Sequence, residues 1–226
     1  NSSERDLQRQ LSRLKAYVSV GKSTSLDYDF NFLGILTRDL QNIAEAASKI
    51  EQAKNKIHYS LFWFSNNNQF DEIALTHLKQ NDHSKALEVW NKVVNGKEIT
   101  SKNLGNAHNL SSLQLSLNTC NGKFNFDVFI ESLRLKGEII TSDLFSEYVS
   151  LIAGEAVNIN KESVVRGFVD EVIDLIKPKL GSAKGLSYPQ FIASFNSFPR
   201  DIRQYVISKF TDRPVNSIEN HIAESK

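Results

Sequence analysis

A chain of 226 residues, 40% of them hydrophobic, is long enough to bury a sizeable core. Its 27 Lys and Arg against 26 Asp and Glu leave a formal net charge of +1, which excludes a whole-chain pull towards nucleic acid or an anionic membrane while leaving local basic patches open. The single cysteine, Cys120, has no internal disulfide partner and fits a reducing compartment, so a cytoplasmic protein is expected, with any membrane tether outside this chain. Beginning at Asn1 and containing no methionine, the chain reads as a piece of a longer polypeptide. Its longest apolar runs, such as Tyr59 to Phe64, fall far short of the ~20 residues that a membrane span needs.

Leu7, Leu11, Leu14 and Val18 recur at helical spacing between Ser3, a capping residue, and Gly21, a stop. They predict an amphipathic helix with Arg5, Arg9, Arg13 and Lys15 on its wet side. Residues 22–36 mix turn formers with aromatics and predict an extended loop held down by Tyr28, Phe30 and Phe32. Thr37 is the expected cap of a helix running to about Ile50. The next helix carries Ile57, Leu61 and Phe64 on one face with Tyr59, Phe62 and Trp63 around it, which places it at the centre of the N-terminal half.

A helix from about Phe70 puts Phe70, Ile73, Ala74, His77 and Leu78 on one side. Asn81 suits the left-handed residue that ends a helix, and Asp82 suits the cap of the next. Ala86, Leu87, Trp90, Val93 and Val94 then make one buried face, with Glu88, Asn91 and Lys92 opposite. The two helices are expected to pack as a tight hairpin, small Ala74 against small Ala86, with Trp90 filling the space beside them.

Further on, an Asn121-Gly122 turn leads into a helix over 123–135 with Phe126, Phe129, Ile130 and Leu133 inward. Leu144, Phe145, Tyr148, Val149 and Ile152 mark another, capped by Thr141 or Ser142. Asn160 opens the longest clear period, Val164 to Ile176, and Pro178 closes it. Residues 179–185 read as a loop, and Pro189, Pro199 and Pro214 each fall near a first helical turn. No run alternates with period two for long enough to make a strand. The expected fold is all-α, ten to twelve helices in antiparallel hairpins, organised as residues 1–36, 37–120 and 121–226 or as one continuous domain.

Most chemical motifs dissolve in their context. Ala16 to Ser23, AYVSVGKS, fits a relaxed phosphate-loop pattern, but a helix runs into Gly21 and a loop runs out of it, the reverse of what aims backbone N–H groups at phosphate. The five histidines, His58, His77, His83, His108 and His221, show no paired metal spacing, and His77 and His108 fit core or groove lining. Asp27, Asp29 and Asp39 fit loop solvation and helix capping better than a cation site. Cys120 has no base beside it in sequence, so a buried thiol is expected. Tyr59 to Phe64 lacks interleaved Lys or Arg, which favours core packing over base stacking. No catalytic residue, cofactor or metal is expected. The opposing reading is an enzyme whose cleft gathers dispersed groups such as Cys120, His77 and Asp39; a third is a purely structural spacer.

The hairpin resembles the tetratricopeptide repeat, with Ala74 as the small residue of the first helix, Lys79-Gln80-Asn81-Asp82 as the turn, and Ala86 with Trp90 in the second helix. Asn103 to His108 looks like the start of the next repeat, with His108 where the family has Tyr. The resemblance covers roughly residues 68–111. It implies a non-enzymatic helical scaffold whose groove, lined by the first helix of each unit, exposes Asp71, Leu75, Leu78, Lys79, Lys102, Asn106 and Asn109 to a protein or peptide partner. Within that set Lys102 and Asn106, four apart, match the family's carboxylate clamp. A second likeness joins residues 60–64, 70–74 and 85–90 to the segment after the J-domain of bacterial co-chaperones. It implies the client- or target-binding part of such a protein, linked to an Hsp70 system through a domain outside this chain, since the His-Pro-Asp tripeptide is absent.

Overall fold

Two helix ends are fixed by left-handed residues that let the chain fold back on its own carbonyls. α1 (Glu4–Ser19) closes at Gly21, φ 67°, whose N–H reaches the Val18 carbonyl at 3.0 Å while the Lys22 N–H reaches that of Tyr17 at 3.1 Å. α4 (Gln69–Lys79) closes in the same way at Asn81, φ 60°, and the Asp82 side chain then accepts the Lys85 N–H at 3.1 Å to open α5 (His83–Val94). The structure is a computed structural model that describes residues 4–22, 26, 29–34, 36–120, 124–153, 158–181 and 186–211. Ser3, Ser23, Asp27, Tyr28, the Asn121-Gly122 turn, Pro214 and His221, all named above, lie outside them.

Every regular element among the described residues is helical, with one isolated bridge, Leu180 to Leu186. α1 packs on α2 (Leu40–Glu51), and α2 on α3 (Ala53–Ser60). Leu7, Leu11, Leu14 and Val18 are only half-buried, and α2 fully buries Ile43 alone, so these first two helices form an outlying hairpin. The cap of α2 is Asp39 rather than Thr37: its carboxylate accepts the Asn42 N–H at 2.7 Å, which a carboxylate at a helix N-terminus does well.

α3 ends at Ser60, earlier than its apolar pattern suggested, and Leu61 to Trp63 continue as tight turns. Ile57, Leu61 and Phe64 are buried, but Tyr59 and Trp63 are exposed, so the aromatic run straddles the surface instead of lying at the centre.

The centre belongs to α6 (Leu104–Cys120), in which every residue from Leu104 to Leu115 is buried. α4 and α5 cover it on one side, and α7 (Phe126–Thr141) and α8 (Leu144–Ala153) on another. α7 starts behind the Asn125 cap and runs six residues past Leu135, the end expected for it, to Thr141. Its Gly137 lets the Phe198 ring lie against the backbone, where an added Cβ would meet ring atoms at 2.8 Å. α9 (Lys161–Ile176) starts at the expected Asn160 cap and ends before Pro178. Short α10 (Tyr188–Ala193), with Pro189 in its first turn behind the Ser187 cap, and α11, over residues 200–211, are the last elements among the described residues. One apolar cluster runs from Phe30 to Val206, so the stretches either side of residue 120 share a core through α6 and α7.

Candidate functional site

On α4 the buried residues are Asp71, Ala74, Leu75 and Leu78. Phe70 and Ile73, expected to face α5, are exposed instead, so the helix is rotated and carries a carboxylate inward. The reason is that Asp71 finds four N–H donors. One oxygen accepts from Trp90 Nε1 at 2.9 Å, Asn106 Nδ2 at 2.8 Å and Asn109 Nδ2 at 2.9 Å, and the other accepts from the Asn67 N–H at 3.1 Å. A buried carboxylate is tolerable only when hydrogen-bonded in this way. It ties α4, α5 and α6 at one point.

That arrangement corrects the expected groove. Asp71, Leu75, Leu78, Asn106 and Asn109 are all buried, and only Lys79 and Lys102 are exposed. Asn106 also exchanges amide hydrogen bonds with Asn68 at 3.2 Å in both directions, and Asn109 holds both the N–H and the carbonyl of Ser65, at 2.9 and 2.7 Å. Lys102 lies in the turn before α6, not on its first helical face, so the clamp spacing with Asn106 is lost. The Asn106 amide matched to a partner's carboxylate already holds one of the chain's own. Three asparagines three or more apart around one aspartate were the available signal, and nothing in the sequence places them together.

α6 carries a second polar knot, in which His108, expected as core or groove lining, meets Lys136, a residue that no motif marks. Lys136 of α7 is fully buried, with Nζ 2.8 Å from His108 Nδ1, 3.0 Å from Ser112 Oγ and 3.3 Å from the His108 carbonyl. Burial pushes the proton affinity of both groups well down, and for His108 the neighbouring Lys136 adds to it. His108 Nε2 contacts the Trp63 carbonyl at 2.9 Å, and its ring lies 5.1 Å from that of Tyr148, whose hydroxyl pairs with Ser60 at 2.7 Å.

A cleft of about 560 Å³ opens between α3 and α9, where Lys54, Asn55 and His58 face Ser163, Arg166 and Asp170. Its charged groups on α9 are engaged within the chain: Arg166 pairs with Glu162 at 2.7 Å, and Asp170 takes the Tyr205 hydroxyl at 2.8 Å and Lys209 at 2.8 Å. Lys136 and His108 do not line it.

The groups of the enzyme reading stand apart. Asp39 caps α2, His77 sits half-buried in the last turn of α4, and Cys120 is exposed at the end of α6, contrary to the buried thiol expected. No hydrogen bond joins any two of them among the described residues. Among those residues, too, no three His, Cys, Asp or Glu groups are placed to hold a metal, and no helix is long and apolar enough to cross a membrane. At Gly21 the backbone N–H groups of Gly21 and Lys22 are spent on α1 carbonyls, so neither is left to cradle phosphate. Titration with ATP and magnesium should therefore give no heat; a saturable micromolar signal lost in Lys22→Ala would revive nucleotide chemistry. Set against protein-family models, curated proteins and solved structures, the chain matches none.

Proposed function

We propose that the chain is a non-enzymatic interaction module whose α4–α5 hairpin docks a helix of a partner protein. The observation that carries this is the outward flank of α4, where Phe70 is 50% and Ile73 is 42% exposed, three residues apart on one side of the helix. A single exposed apolar residue is ordinary on a protein surface, but a matched pair on one helical flank offers two anchors. The Asp71 tie fixes which way that flank points. The likeness to tetratricopeptide hairpins supports the choice of occupant, because each hairpin in such arrays leaves a face that the helix of a neighbour covers.

The test places a photo-crosslinking residue at position 70, at 73, or at exposed Leu175 on α9 as a control. One and the same protein is expected as an adduct from 70 and 73 but not from 175. The double variant Phe70→Asp and Ile73→Asp should then fail to bind that protein while keeping its unfolding midpoint. Charge reversal of Lys79 and Lys102, both exposed, measures any charged share of the contact, which weakens with salt. No adduct beyond the control, or undiminished binding by the Asp variant, would remove α4 as the working surface.

A further inference from the structure

We propose that His108 and Lys136 form an acid-released latch holding α7 against α6. The Trp63 carbonyl can only accept, so the His108 Nε2 atom at 2.9 Å from it must carry the ring hydrogen. Nδ1 is then a bare acceptor, and it receives a hydrogen from Lys136 Nζ at 2.8 Å. The two remaining acceptors around Nζ are the Ser112 hydroxyl and the His108 carbonyl, and the Ser112 hydroxyl in turn donates to that same carbonyl at 2.9 Å. None of the three is charged.

The other groups packed around the latch do not supply an anion. From α8, Tyr148 faces His108, and burial holds its hydroxyl neutral through the whole physiological range. From α3, Ser60 meets that hydroxyl. The buried carboxylate of α4, Asp71, is committed to Trp90, Asn106, Asn109 and Asn67. Among the described residues no carboxylate is bonded to Lys136 or to His108.

A second proton on the ring can go only to Nδ1, where it turns the acceptor of the Lys136 bond into a donor. Donating to all three acceptors takes the three hydrogens of an ammonium, so two donors would then face each other in an enclosed site to which the described residues bring no carboxylate, and the site is relieved when α7 moves away and water enters. The direction of the pH effect follows. The closed form holds His108 below its ordinary value of 6.5, so below that pH the open form binds a proton that the closed form refuses. Acid therefore favours opening, by up to about tenfold in the open-to-closed ratio per pH unit from this one group. Lys136, held below its ordinary 10.5, acts in the same direction only between that value and its own lowered one.

The experiment measures the unfolding equilibrium constant in denaturant from pH 7.5 to 5.0 for wild type and for His108→Gln, whose amide can accept from Lys136 and donate to Trp63 but cannot titrate. Every other residue is the same in both proteins, so the difference in slope belongs to position 108 and its contact with Lys136. Wild type should lose stability more steeply than the variant, by up to about tenfold in the constant per pH unit, with α6 and α7 amides exchanging together. Equal slopes would overturn the latch. Should the variant fail to fold, imidazole nitrogen shifts of the wild type decide: the latch requires Nδ1 bare and Nε2 protonated throughout the folded range, and a folded His108 that titrates near 6.5 contradicts it.

Discussion

Trp90→Ala is expected to cost about 3–5 kcal/mol, read as a fall in the denaturant midpoint at unchanged slope. Trp90 is fully buried, as are Ala74 and Ala86 of the same hairpin, and stacks on Phe64 with centroids 6.0 Å apart. Its loss would leave a cavity that two alanines and a helix crossing cannot close. The indole N–H adds a second component, because it is one of the donors on Asp71. Trp90→Phe keeps much of the volume and deletes the donor, and should cost roughly 1–3 kcal/mol. A loss under about 1 kcal/mol for Trp90→Ala would mean that the hairpin is held by something other than this side chain.

The second large effect is at Asp71. Asp71→Ala removes the acceptor shared by Trp90, Asn106, Asn109 and the Asn67 backbone, and leaves those donors pointing into an enclosed space. Each orphaned buried donor costs roughly 1–3 kcal/mol, and with water partly replacing the carboxylate a total of at least about 3 kcal/mol is expected. Asp71→Asn should lie between alanine and wild type, since its amide NH₂ opposes the donor on one side. Thermal melts of the two variants, with Trp90→Phe in a double-mutant cycle, would show the coupling: additive losses at Asp71 and Trp90 would contradict a shared hydrogen-bond centre.

These two residues also mark where the sequence could and could not be read. The hairpin turn was legible because Asn81 and Asp82 act through local backbone geometry, and Ala86, Trp90 and Val94 keep strict helical spacing. The same holds for the Gly21 stop and the Asn160 cap, and so for the all-α class. The rotation of α4 was not legible. Hydrophobicity alone puts Phe70 and Ile73 inside and Asp71 outside, whereas three of the four donors that decide the true face are side chains 19 to 38 residues further along the chain.

α6 failed for a different physical reason. A helix enclosed on all sides has no wet face, so its sequence shows no period, and its polar residues, Asn106, His108, Asn109, Ser111 and Ser112, look like surface. Read as surface they suggest a groove. In the fold Asn106, His108, Asn109 and Ser112 are bonded internally, while the buried Ser111 hydroxyl finds no partner among the described residues, and the outward apolar pair on α4 becomes the feature left to explain.

The enclosure of α6 also shapes how the chain comes off the ribosome. Its covers come from both directions, α4 and α5 before it and α7 and α8 after it. When Cys120 has been added, the side of α6 that will receive Lys136 is still bare, with His108 and Ser112 lacking their partner. Domains fold as units, the N-terminal one first, as synthesis proceeds. Here the first half has no finished unit to fold into, so the nascent protein must carry its future centre open until α7 has been made.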